Sequence, residues 1–191
     1  MTSYQDFWAQ QPQAHTTAHI IRSDAEALAI ARQLSQEFKQ LATERDQQRR
    51  LPFEEIQKFS QSGLWAITVP KQYGGAEVSS WTVAQIVALF SGVDGSIGQI
   101  PQNHFYALEV LRNTGTEQQK QQLYREVLQG ARFGNALAEF KTRNATQKHS
   151  QIQAIEGGYI IQGEKFYCTG SLFAHRIPTL VKDAQDRKSV V

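Results

Sequence analysis

The sequence predicts an α+β chain, in which an all-α N-terminal domain is followed by the beginning of an antiparallel β-domain. Three observations carry that expectation. Before Gly130, apolar residues recur at the spacing of helix faces. Those stretches are punctuated by capping and stop residues in the right places. After Gly130, apolar and polar residues alternate around glycine turns. The chain divides into a flexible arm at residues 1–22, a helical domain at 23–130 and a partial β-domain at 131–191.

The arm is rich in Gln, His and Thr and has no period. Ser23-Asp24-Ala25-Glu26 has the form of a capping box, in which Ser23 caps and Glu26 reaches back. Behind it Ala27, Leu28, Ile30, Ala31, Leu34, Phe38 and Leu41 form one apolar stripe, predicting a helix to about Glu44. Pro52 suits the first turn of a second helix, with Glu54 and Glu55 at its positive end, Ile56 and Phe59 on its buried face and Gly63 as its stop. Leu64–Pro70 reads as a buried connector that ends in the turn Tyr73-Gly74-Gly75. A third helix follows Ser79-Ser80 and buries Val83, Ile86, Val87 and Phe90. Asp94-Gly95-Ser96 breaks the chain before a fourth helix, from about Ile97 to Arg112, with Pro101 in its early turns. Thr116-Glu117 opens a fifth, Gln118 to Leu128, which Gly130 ends.

Beyond it, Ile152, Ala154 and Ile160 alternate with polar residues around Glu156-Gly157-Gly158, a hairpin signature. Further strands are expected at Gly163–Cys168 and Ile177–Val181, and a second turn at Asp183-Ala184-Gln185-Asp186. The returning strand, Lys188 to Val191, stops as it enters its apolar run, which reads as a truncated chain.

Composition excludes several function classes. With 40% apolar and 20% charged residues in 191, a packed core is feasible. A formal charge of +2 leaves no footprint for nucleic acid or an anionic membrane. The single cysteine, Cys168, rules out an intrachain disulfide and a cysteine-rich zinc site. His15, His19 and His149 show no metal-ligand spacing, so no metal is expected. There is no secretory signal and no apolar run near the roughly 20 residues that span a bilayer, so a cytoplasmic location is the expectation.

Three segments, in order, resemble the acyl-CoA dehydrogenase superfamily. They are Val69-Pro70-Lys71-Gln72-Tyr73-Gly74-Gly75, then Asn113-Thr114-Gly115-Thr116-Glu117-Gln118-Gln119-Lys120, then Gly163-Glu164-Lys165-Phe166-Tyr167-Cys168-Thr169-Gly170. Within it, Gln99–Phe105, Arg132–Ala136 and Phe166–Ser171 are similar to the sulfur-acquisition oxidoreductases and dibenzothiophene monooxygenases. The resemblance covers about residues 20 to 191 and implies that the β-segment begins a barrel-like middle domain, with the C-terminal helical bundle absent. Dehydrogenases carry a "TEP-x-x-GSD" loop on flavin and acyl-CoA. Here Ala138–Asn144 keeps only Glu139 of it, and Arg143-Asn144 replaces the small pair, which favours the monooxygenase branch.

What that branch implies is a flavin cofactor, FMN or FAD, and a separate flavin reductase supplying it reduced. The reaction is then oxygenation of a small organosulfur compound with O2, by a protein that is a homo-oligomer at full length. Thr169 falls where the family places a hydroxyl against the flavin, Tyr167 where an aromatic packs on its ring, and Gly170 and Ser171 continue that contact. Asn135 matches an active-site asparagine, and His104 is the candidate for holding or protonating the activated oxygen. His175 is a weaker candidate at the same strand mouth. Each has a plainer reading: strand residues for Tyr167 and Thr169, a turn asparagine for Asn135, a packing histidine for His104. In a strand, Cys168 would point away from Tyr167 and Thr169 and be a buried, inert thiol. The alternatives are an acyl-CoA dehydrogenase using FAD, or an inactive fragment or interaction module.

Overall fold

The structure, a computed structural model, describes residues 18–140, 148–185 and 187–190. Among the described residues six α-helices come first: α1 Asp24–Lys39, α2 Ala42–Gln47, α3 Phe53–Gln61, α4 Ser80–Ser91, α5 Gly95–Thr114 and α6 Glu117–Leu128. Four short strands follow, β1 Gln151–Ile155, β2 Gly158–Gln162, β3 Leu180–Lys182 and β4 Lys188–Val190. The α+β class and the change of character near Gly130 stand as the sequence predicts.

The helix signals work with small corrections. Ser23 Oγ accepts from Glu26 N–H, but the Glu26 carboxylate reaches past the cap residue to the N–H of Arg22 at 2.7 Å. The stripe predicted to run to Glu44 breaks at Lys39, and Leu41, which then opens α2 outside helical geometry, is 44% exposed. Gly63 sits at φ +81 past the end of α3, where an L side chain is strained, and a Cβ there would also strike the His19 carbonyl. The break falls slightly earlier than predicted, at residues 92–94, and ends on Asp94. Its carboxylate caps α5 by accepting from Ser96 and Ile97 N–H, so Gly95 and Ser96 are helical. Thr116 and Gln119 form the complete capping box, starting α6 at Glu117.

The helical core is aromatic. Phe59 packs on Trp65 at 4.5 Å and on Phe90 at 5.0 Å between centroids, and Phe38 meets Phe90 at 5.7 Å. Leu64–Val69 is the buried connector the sequence predicts, apart from partly exposed Thr68, and its first residues form a 3₁₀ turn. Beside this core lies a buried ion network. Arg45 donates to Glu55 at 2.7 Å, to Asp94 at 2.9 and 3.1 Å and to the Phe38 carbonyl, so one guanidinium joins α1, α2, α3 and the cap of α5. Such pairing offsets the cost of burying the charge.

The β-region departs further. Its sheet order is β2-β1-β3-β4; β1·β2 and β3·β4 are antiparallel, but β1 lies parallel to β3 through Gln151 and Lys182. The expected antiparallel sheet is therefore mixed, and no barrel closes among the described residues. Gly163–Cys168 is not a strand. Only Phe166 bridges, to Ala138, while Gly163 (φ +153) and Tyr167 (φ +55) turn the chain out of extended geometry. The strand expected at Ile177–Val181 is displaced to Leu180–Lys182, with Thr179 bridging Ala136.

Candidate functional site

The sequence-predicted site residues gather where the helical domain hands over to the β-region. Residues 131–136 leave α6 and run buried between α5 and the loop at 170–179. Parallel bridges Phe133–Arg176 and Ala136–Thr179 hold this segment, with N–H donors from Gly134 to the Arg176 carbonyl (2.9 Å) and from Ala136 to that of Pro178 (3.0 Å).

His104 fastens the segment from the helical side. It is fully buried, its Nδ1 accepts from Phe133 N–H at 3.0 Å, and Nε2 therefore carries the ring proton and donates it to the Trp65 carbonyl at 2.8 Å. Burial lowers its pKa to about 4, against the opposing pull of the Trp65 carbonyl. Both ring nitrogens are thus engaged by backbone, and none is left for an oxygen species. The ring ties two backbone groups together from behind the segment.

Arg132, for which the sequence suggested no structural role, is the second fastener. It is buried and donates to the Phe173 carbonyl (2.7 Å), Ser60 Oγ (2.9 Å) and Gln57 Oε1 (3.2 Å), all neutral, and burial brings its pKa down to about 10. Its own N–H donates to His175 Nδ1 at 3.1 Å, so His175 also serves the junction.

On the open side the other candidates meet. Ser171 Oγ donates to the Asn135 carbonyl at 2.9 Å, and Asn135 Nδ2 donates to Asn103 Oδ1 at 2.6 Å. A Cβ on Gly134 would lie 2.9 Å from the Ser171 backbone, and Gly170 sits at φ +78 against Ile100 and Gly134. These glycines let two backbones touch at the cluster. Tyr167 is 82% exposed, with its backbone in the left-handed region that a tyrosine rarely adopts. Thr169 is half-buried and its N–H closes a tight turn onto the Tyr167 carbonyl at 2.9 Å. The structure thus brings Asn135, Gly170 and Ser171 together, sets Thr169 and Tyr167 beside them in sequence, and puts His104 behind. Cys168 is half-buried rather than buried, and burial raises its pKa, which keeps it a thiol.

Glu139 is committed elsewhere. Burial would raise its carboxyl, but hydrogen bonds from Lys165 (2.5 Å) and from the His149 and Ser150 backbone outweigh that and bring it to about 2. It lines a cleft of about 490 Å³ with Phe140, His149, Glu164 and Phe166. Residues 141–144 of the departing loop lie outside the described residues, as does His15. Among the described residues no group of His, Cys, Asp and Glu is arranged for a metal ion, and no helix is long and apolar enough to cross a membrane.

Residues 25–131, more than half of the chain, match the model of the acyl-CoA dehydrogenase N-terminal domain. The chain belongs to the acyl-CoA dehydrogenase family. It is 29% identical over 150 residues to a dibenzothiophene monooxygenase of Rhodococcus qingshengii, covering 78% of this chain and 36% of that protein. It is 32% identical over 146 residues to a probable FMNH2-dependent monooxygenase, SfnC, of Pseudomonas putida, covering 76% and 35%. Among solved structures it is similar to FMN-bound TdsC from Paenibacillus sp. A11-2, with TM-score 0.75, 26% identity, and 86% of this chain covering 41% of that one. This family member therefore spans little more than a third of the length of the curated relatives it matches.

Proposed function

We propose that this chain is the flavin-side part of an oxidoreductase that uses reduced flavin and O2 to oxygenate a small organosulfur compound. The observation that carries the reading is the junction cluster, in which Asn135, Gly170 and Ser171 stand beside an exposed Tyr167, on a fold shared with an FMN-bound relative. The residues fit a planar cofactor: two glycines keep the backbone low, Tyr167 offers an aromatic face, and the Thr169 hydroxyl and the Asn135 amide offer polar contacts.

A reduced flavin, when bound, supplies the electrons that activate oxygen. The chain's own residues bind and orient. Tyr167 packs on the ring plane, Thr169 and Ser171 give hydroxyls at its edge, and Asn135 holds a polar group of cofactor or substrate. Buried Phe133 and Ile100 form the apolar floor that keeps water out. His104 moves no proton in this reading and fixes the floor instead. A partner reductase and assembly into a homo-oligomer belong to the same proposal, as does the choice of FMN.

The test supplies the protein with reduced FMN, oxygen and a small sulfide or sulfone, and oxygen and substrate should disappear together. Oxidation of acyl-CoA thioesters with an artificial electron acceptor, without oxygenation, would overturn it. For the 191-residue chain alone we expect weak flavin affinity, and tight stoichiometric binding on titration would contradict that.

A further inference from the structure

The amide of Asn135 is held more firmly than a surface turn requires. The residue is 8% exposed, and the backbone on both sides is fixed: Phe133 by His104, Gly134 by Arg176, Ala136 by Pro178. Its backbone carbonyl receives the Ser171 hydroxyl at 2.9 Å, and its side-chain Nδ2 donates to Asn103 Oδ1 at 2.6 Å. Among the described residues no donor reaches the remaining atom, Oδ1, and it is not sealed inside the protein. Asn103 owes its place to its neighbour. His104 pins α5 to both the Trp65 carbonyl and Phe133 N–H, which fixes the rotation of the helix and directs residue 103 at residue 135.

We propose that Asn103 is a positioning residue, which locks the Asn135 amide with its NH2 turned inward and its carbonyl oxygen presented outward. The site therefore takes a hydrogen-bond donor, an N–H or O–H, from its ligand. An amide free to rotate by half a turn would offer a donor or an acceptor with equal ease. With the NH2 tied to Asn103, a ligand that brings an acceptor meets an oxygen lone pair and loses a hydrogen bond. The inference rests on the flavin reading only for the identity of the ligand, not for the lock.

The experiment follows the Asn135 side-chain NH2 by nuclear magnetic resonance in the 191-residue chain, its signals assigned by their loss in Asn135→Asp. Asn103→Asp keeps an acceptor in place, whereas Asn103→Leu removes it. In the unsubstituted chain and in Asn103→Asp, one NH2 proton should exchange slowly with solvent. In Asn103→Leu that protection should fall roughly tenfold, the loss of one hydrogen bond, with helical circular dichroism unchanged. FMN is then titrated while the same signals are read. Its apparent affinity should drop roughly tenfold in Asn103→Leu and be retained in Asn103→Asp. Equal amide protection in the unsubstituted chain and Asn103→Leu overturns the lock. A lost lock with unchanged FMN affinity overturns the donor-taking site. If FMN moves no signal in any chain while the lock is present, the flavin reading fails and the positioning role stands.

Discussion

Trp65 in the helical domain is entirely buried, whereas Tyr159 in the β1–β2 ribbon is 71% exposed, although each is a large aromatic in an apolar stretch. The helical domain closes on itself through Phe38, Phe59, Trp65 and Phe90, and it satisfies even a buried arginine internally. Among the described residues the ribbon lies open: β2 is an edge strand, and Tyr159, Ile160 and Ile161 are all exposed. From Gly157 to Gly163 it carries no charge and no proline, the usual guards of an edge. Completeness thus belongs to the helical domain, while the β-region depends on contacts made beyond its own sheet.

The largest effects should come from breaking the closed half. Phe59→Ala, between Trp65 and Phe90, should cost about 3–5 kcal/mol in denaturant unfolding, while Ile160→Ala should stay within about 0.5 kcal/mol. Equal losses at the two sites would erase the contrast. Arg45→Met strands Glu55 and Asp94 without their cation and should cost about 3–5 kcal/mol.

A second prediction follows the seam between the halves. His104 has a folded pKa of about 4 against an ordinary 6.5, so below pH 6.5 the unfolded chain takes up the proton and the folded one does not. Stability from this residue is complete above pH 6.5 and drains away as pH falls toward 4, by up to about 3 kcal/mol. Urea unfolding between pH 7.5 and 4.5 should show that slope, and His104→Gln should flatten it. Glu139, held at about 2, loses its contribution only below its ordinary 4.5, so the two windows separate.

The smaller effects sharpen the open half. Tyr167→Gly relieves a left-handed tyrosine and should raise stability by about 0.5–1 kcal/mol while weakening flavin binding, the exchange expected of a residue kept for contact rather than folding. Ile160→Lys should leave unfolding unchanged yet reduce self-association in sedimentation, because it places a charge on an unguarded edge.

How far these features were legible follows from their range. Caps and stops act over three or four residues, so Ser23, Gly63, Ser79 and Thr116 could be read directly. The β1–β2 hairpin was legible for the same reason. His104 stands out in the sequence as a helix histidine, but its partners lie 39 and 29 residues away, and no local pattern distinguishes a ring facing a ligand from one facing two backbone groups. Nothing local marks Arg132 or Arg45 as buried, since arginine is ordinarily a surface residue. Gly163–Cys168 misled because its aromatic composition suits a strand, while the positive φ of Tyr167 depends on the neighbours it must face.

The parallel bridging of residues 133–136 by 176–179 also has a consequence in time. Its contacts span 42 or 43 residues of chain, including the whole β1–β2 ribbon, whereas the capping contacts at Ser23, Asp94 and Thr116 span two or three. Loops of that length are costly to close before anything rewards the closure, so local helices form first and the bridge afterwards. In a refolding experiment helical signal should return ahead of protection at Gly134 and Ala136. The cluster of Asn135, Gly170 and Ser171 depends on that bridge, so it should form after the helices and be among the parts that a slowed or interrupted synthesis leaves unbuilt.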